Sequence, residues 1–260
     1  MGARGQMMIH MTEIDFIPDS LTADRAESAI GHITTALNGL KSHGSVHIAN
    51  GSDRIFLLAY GWWVFIVRSS EAVVVLRHNN LVHESSPIVR GILQHGLVLQ
   101  WLVDTGDKAV DAAAEYGDNN VRKLLNTMKE AKWPPVEGLT MTAPEEPVSP
   151  NPLVHKIEDF SQLCITYSAR QLYVPFRLLS SYVHPTMVGA RAYIDEKTVE
   201  LSSVALGEDS HSLVIQTAMC LIQATKVINQ ILVDDPLKVA IEEAEQVLGI
   251  EVGLWQPKKK

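Results

Sequence analysis

Cysteine is scarce in this sequence: Cys164 and Cys220 are the only two in 260 residues. Both lie in apolar helical patterns, which points to buried thiols rather than to a disulfide framework or a metal site. Buried, reduced thiols and a cytoplasmic setting are therefore expected. Positive charge is also in short supply. Lys and Arg number 22 against 30 Asp and Glu, a formal net charge of −8, which argues against a broad polyanion-binding face and leaves room for a local basic pocket. No apolar run is long enough to span a bilayer. The nearest, IFLLAYGWWVFIV at 55–67, is cut off by Arg68 and Glu71, short of the roughly 20 residues required, so it reads as a core helix with no membrane partner. The opening MGARGQMMIHMTEIDF lacks the apolar core of a signal peptide and reads as a frayed tail. No glycine-rich phosphate loop and no Gly-x-Ser-x-Gly elbow occurs, which removes the common nucleotide and hydrolase readings. No pair of Glu-x-x-His motifs or other two-helix ligand set occurs either, so neither metal nor cofactor is expected.

Period-2 alternation is likewise rare, with one short candidate strand at SVHIAN, 45–50,. What is present is helical periodicity in a chain that is 46% hydrophobic, enough for a sizeable core. An all-α antiparallel bundle of about six to eight helices is predicted. A first helix follows Thr22 or Asp24 and runs to about Lys41, with Ala26, Ile30, Ile33, Leu37 and Leu40 on one stripe. A second spans about Ser52 to His78. The third is opened by Ser86 as cap with Pro87 in the first turn, and ends near Asp104-Thr105-Gly106. A more polar fourth covers about Lys108 to Lys132. The Pro-rich WPPVEGLTMTAPEEPVSPNP, 133–152, cannot continue a helix and reads as an extended connector. Beyond it, helical patterns cover about Leu153 to Tyr182 with Pro175 as a kink, then Ser210 to Val233 and Pro236 to Leu248. The expected organisation is a tail to residue 18, one helical domain over 19–250 and a C-terminal tail over 251–260, whose PKKK reads as a solvated end.

Within the third helix, PIVRGILQHG (87–96) places an Arg and a His in a segment that is apolar nearly all round. A guanidinium there requires a carboxylate, several carbonyls or an anionic ligand, and Glu71 on the second helix is the internal candidate. Gln94 shares the face of Arg90, while His95, five positions on, lies about 140° away. The bland alternative is a structural Arg90–Glu71 pair with His95 as a satisfied core histidine. A second constellation is RQLYVPFRLLSSYVHPT, 170–186. Arg170, Arg177 and His184 recur every seven residues with Tyr173 and Ser181 between them, a polar, partly cationic stripe opposite Leu172, Phe176, Leu179 and Val183. His184 precedes Pro185 and so falls at a helix end. Glu27 and His32 point apart on the first helix, and Asp104, Asp107 and Asp111 close one helix and open the next.

Arg90-Gly-Ile-Leu-Gln-His95 fits the Arg-x4–6-His pattern of the higher eukaryotes and prokaryotes nucleotide-binding (HEPN) superfamily. Taken together, ESSPIVRGILQHG and YSARQLYVPFRLLSSYVHPT resemble a group of bacterial helical proteins with an Arg early in a central helix and an LS-x-x-VHP-like segment later. The resemblance covers about residues 50 to 195, with Gly91 standing where a polar residue commonly follows the Arg. It implies an all-α fold, a homodimer and metal-independent ribonuclease chemistry. Arg90 would bind the scissile phosphate, and His95 would act as general acid or base in attack by the RNA 2′-hydroxyl. Arg170, Tyr173, Arg177, Ser181 and His184 would extend the cleft. Two other readings stay open: a non-catalytic helical protein binding a small anionic ligand or a protein partner, and a small-molecule biosynthetic enzyme with an apolar pocket rimmed by Trp62, Trp63, Tyr173 and Tyr182.

Overall fold

A computed structural model describes residues 21–42, 46–134, 143–147, 149–195, 198, 200–205 and 210–258. The first helix, α1 (Ala23–Ser42), buries Ala26, Ala29, Ile30, Ile33 and Leu37, the stripe that the 3.6-residue period demands,. Helix α2 (Asp53–His78) buries Ile55, Ala59, Trp63, Ile66, Val67, Ser70 and Val73. Its other face is apolar too, with Leu57, Phe65 and Val75 exposed. By length and composition alone it is the one described helix able to cross a membrane. Helix α3 (Ser86–Thr105) is buried on almost every side and packs against α2, against α7 (Arg170–Val183) and against α9 (Ser210–Asn229). Helix α4 (Asp107–Glu130) follows it, and α10 (Lys238–Leu248) pairs with α1. A single apolar cluster draws on helices from both sides of the Pro-rich stretch. The fold is all-α.

Ten α-helices occur among the described residues, more than the pattern reading counts, for local reasons. The stretch read as one helix over 153–182 is three: α5 (Val154–Glu158), α6 (Phe160–Thr166) and α7. Asp159 is extended and its Oδ1 accepts from the Ser161 and Gln162 amides, restarting the helix as an N-cap,. Ser168, at φ 51°, stops α6. Pro175 lies inside α7. A short α8 (Met187–Arg191) is started by Thr186, whose hydroxyl accepts from Gly189 N. It leads to a two-stranded antiparallel sheet, β1 (Ile194–Asp195) with β2 (Glu200–Leu201), in register Ile194↔Leu201. The strand anticipated at 45–50 is one isolated bridge, Ile48 to Leu232. Ser86 is the first residue of α3 rather than its cap, because a 3-10 turn at His83–Ser85 precedes it and the Ser86 hydroxyl donates to His83 O. The calls on residues 1–18 and on 135–142 of the connector lie outside the described residues.

The C-terminal segment departs most from expectation. Residues 252–258 are held against the bundle by backbone hydrogen bonds at every third residue. Val252 N donates to Glu245 Oε1 (2.5 Å) and its carbonyl accepts from Lys226 Nζ (2.9 Å). Gln100, buried in α3, accepts from Trp255 N at 3.1 Å and donates to Trp255 O at 2.5 Å, while Gln223 Nε2 donates to its Oε1 at 3.0 Å. Lys258 N donates to Thr166 O at 2.7 Å. The buried carboxamide of Gln100 needs partners, and the segment supplies them.

Gly249 makes this path possible by ending α10 in the left-handed conformation, φ 84°, with its amide on Glu245 O at 2.7 Å,. A Cβ there would fall 2.3 Å from Nη2 of Arg25, whose Nε donates to Val247 O at 2.6 Å and caps the helix end. Gly249→Ala is expected to lower stability by about 1–3 kcal/mol, read from the urea midpoint. A change under a few tenths would mean that Arg25 swings aside freely and the turn carries no strain.

Candidate site at the α3–α7 seam

Helices α3 and α7 run antiparallel, as the residues joining them show. Early in α3, Arg90 meets Phe176 and Ser180, late in α7. At the far end of α3, Asp104 accepts from the hydroxyl of Tyr167, which precedes α7, at 2.8 Å. Arg90 is half-buried. Its Nε donates to Ser180 Oγ at 2.8 Å, and its guanidinium carbon lies 4.3 Å from the centroid of the Phe176 ring. The Ser180 hydroxyl in turn donates to Phe176 O at 2.7 Å, so its lone pair is fixed towards Arg90.

Glu71 is not the partner of Arg90. Its carboxylate takes Arg68 Nη1 at 2.6 Å, one turn away on α2, because Arg90 projects towards α7 while α2 packs elsewhere on α3. Among the described residues no carboxylate pairs with Arg90, and its two terminal nitrogens have no partner. Ring stacking and one neutral hydrogen bond hold the guanidinium in place without neutralising it.

His95 faces α2. Its ring lies 4.3 Å from that of Phe65, and Nδ1 donates to Gly91 O at 2.8 Å, which leaves Nε2 bare,. Burial pushes its pKa below the usual histidine value, opposed in part by the Gly91 carbonyl,. Arg90 and His95 thus stand on different flanks of α3, as about 140° of separation requires, and one chain does not bring them together. A lowered folded pKa makes the unfolded state the better proton acceptor. The stability that depends on neutral His95 should be complete above about pH 6.5 and be lost as pH falls from there through the lowered folded value. The stability difference between wild type and His95→Gln should accordingly shrink as pH falls below about 6.5; a difference that grows on acidification would reverse the assignment.

Of the polar stripe read along α7, Arg170 and Arg177 are exposed, as is His184 at the helix end, and none of these three side chains has a partner among the described residues. Tyr173, Arg177 and Ser180 follow at i, i+4 and i+7, with Arg170 one turn before Tyr173, so they form one row along the helix. Arg90 docks on Ser180 at the end of that row. Tyr173 packs its ring on Phe176 at 6.0 Å and on Phe160 at 6.5 Å. Ser181 is turned inward to Leu178 O at 2.6 Å. Gln94, one turn after Arg90 on the same face of α3, is half-buried and makes no hydrogen bond among the described residues.

Residues 56–200 match a family of unknown function (DUF5677). The chain belongs to this family. No curated protein and no solved structure matches it. The DUF5677 segment runs from α2 to β2 and so contains Arg90, Gln94, His95 and the whole of α7, whereas α1, α9 and α10 lie outside it.

In this DUF5677 chain the residues that organise the seam are Ser180, which sequence reading passed over, and Phe176, which it placed on the apolar face opposite the stripe. The only signal was their place three residues after and one before Arg177 on a helix facing α3. A second unforeseen group closes the far side of α7: His83 packs edge-on to Tyr182 (4.6 Å) and Tyr193 (5.9 Å), and the Tyr193 hydroxyl donates to Glu84 Oε1 at 2.5 Å. The aromatic rim imagined for a small-molecule pocket is dispersed. Trp63 is buried and donates to Thr225 Oγ1 at 3.0 Å, Tyr173 is on Phe176 and Tyr182 is on His83. Adjacent Trp62 and Trp63 diverge by about 100° on α2. Glu27 pairs with Arg77 (2.6 Å) and His78 (2.7 Å), away from His32. Among the described residues no three His, Cys, Asp or Glu side chains are grouped to hold a metal ion. Cys164 and Cys220 are free, with burial pushing each thiol up to about 12.

Proposed function

We propose that this chain is a HEPN-like helical protein that recognises a phosphate-bearing anion at the α3–α7 seam, with Arg90 as the anion-binding group. The observation that carries the reading is an arginine held by Ser180 and Phe176 with its two terminal nitrogens unpartnered among the described residues. A planar guanidinium in that state can offer a bidentate fork to phosphate without first breaking an ion pair. The amide of Gln94 and the exposed Arg177 and Arg170 supply further donors along the same row. They also concentrate positive charge locally in a chain of net charge −8.

RNA cleavage is the second reading, and His95 favours it. A neutral imidazole with Nδ1 committed to Gly91 O has Nε2 available as a general base,. Because His95 and Arg90 face different helices, this reading needs two copies of the chain to complete one cleft. The two are separated by titrating pyrophosphate and a short RNA into wild type and Arg90→Ala, and by incubating an RNA pool with each protein without added metal. Binding lost in Arg90→Ala with RNA left intact supports anion recognition alone. Cleavage lost in both Arg90→Ala and His95→Gln supports the nuclease. Equal pyrophosphate binding by wild type and Arg90→Ala overturns both.

A further inference from the structure

Outside the DUF5677 segment, α1 and α10 border a surface groove of about 470 Å³, lined by Ser28, Gly31, His32 and Thr35 of α1 and by Val239 and Glu243 of α10. The hydrogen bonds around it fix what it can bind. The Ser28 hydroxyl donates to Asp24 O at 3.0 Å, and the Thr35 hydroxyl donates to Gly31 O at 2.9 Å. His32 Nδ1 lies 2.9 Å from Glu243 Oε2. An ionised carboxylate has no proton to give, so the imidazole donates, and the neutral form of the ring then carries a lone pair on Nε2. Each of these groups has therefore committed its hydrogen internally. What the groove offers a ligand is lone pairs on Ser28 Oγ, Thr35 Oγ1 and His32 Nε2, with the negative charge of Glu243, whose side chain is 51% exposed. No Lys or Arg is among the described lining residues. A complementary ligand must bring donors and positive charge. Space and apolar contact are there too, since a Cβ on Gly31 would meet nothing within 4 Å and Val239 is 66% exposed.

We propose that this groove binds a primary alkylammonium group, its three N–H donors directed at His32 Nε2 and Glu243 and its methylene chain lying over Gly31 and Val239. Three rotatable donors on a compact charge suit scattered single acceptors better than a planar fork does. The chemistry could come from a free diamine or from a lysine side chain of another protein.

The test follows the His32 ring protons by NMR, assigned with His32→Gln, while n-butylammonium is added to the full chain at neutral pH. A saturable shift is expected, absent with n-butanol and with butyrate. Glu243→Gln should weaken it about three- to tenfold, in keeping with a partly exposed charged partner. Gly31→Leu should abolish it, because the new side chain fills open space on a helix that gains propensity by the change; circular dichroism checks that it folds. Comparing 1,4-diaminobutane with N-acetyl-lysine amide then identifies the source, the tighter of the two naming it. The proposal is overturned if butyrate or n-butanol shifts His32 equally, or if Glu243→Gln leaves the midpoint unmoved.

Discussion

Trp63→Ala is expected to cost about 3–5 kcal/mol of unfolding free energy. Trp63 is fully buried in α2, and its indole N–H donates to Thr225 Oγ1 of α9 at 3.0 Å. Thr225 is fully buried as well, and its own hydroxyl donates to Leu221 O at 2.7 Å. Truncation would therefore open a cavity between α2 and α9 and remove the one donor to that buried oxygen found among the described residues. Trp63→Phe keeps most of the apolar contact and loses the donor, so a cost of roughly 1–3 kcal/mol is expected. Leu57→Ala, on the same helix but 75% exposed, should stay within about 0.5 kcal/mol. Urea unfolding of the three variants measures all of this, with slopes unchanged if only the native state is affected. Losses of under 1 kcal/mol for Trp63→Ala would mean that α2 does not form part of the core, and the seam built on α3 would lose its support.

How much of this was legible in the sequence depended on range. Local rules reached the ends of α1, α2, α3 and α4 to within a few residues, because apolar stripes and Pro87 act over one or two turns,. They missed the breaks at Asp159 and Ser168, where a side-chain cap and a positive φ override a continuous apolar pattern. The opposed directions of Arg90 and His95 were legible, since helical geometry alone sets them about 140° apart. The partner of Arg90 was not. Choosing Glu71 followed from charge complementarity, but which helix packs on which side of α3 is a tertiary fact, and it gives Arg90 a hydroxyl and a ring while Glu71 keeps Arg68. The same holds for the C-terminal segment. Nothing local to LWQP announces that Gln100, more than 150 positions earlier, receives the backbone of Trp255.

Arg90→Ala should weaken pyrophosphate binding by roughly 10- to 150-fold, the value of one or two charge-assisted hydrogen bonds, while costing only about 1–2 kcal/mol of stability. The asymmetry between these two effects is what distinguishes a ligand-binding arginine from a structural one. Breaking a buried ion pair strands its partner charge and costs about 3–5 kcal/mol, but no described carboxylate pairs with Arg90, so its loss strands none. What is forfeited is the contact with the Phe176 ring and the bond to Ser180. Arg90→Lys keeps the charge yet loses both the fork and the Nε donor, so binding should recover only in part. Ser180→Ala leaves the guanidinium intact but frees its orientation, and should weaken binding less than Arg90→Ala does. Pyrophosphate should raise the unfolding temperature of wild type more than that of Arg90→Ala at the same concentration, by mass action on the folded state. If instead Arg90→Ala unfolds at a cost above 3 kcal/mol and wild type gains nothing from pyrophosphate, the arginine is a structural part of the α3–α7 contact, and the anion site is not there.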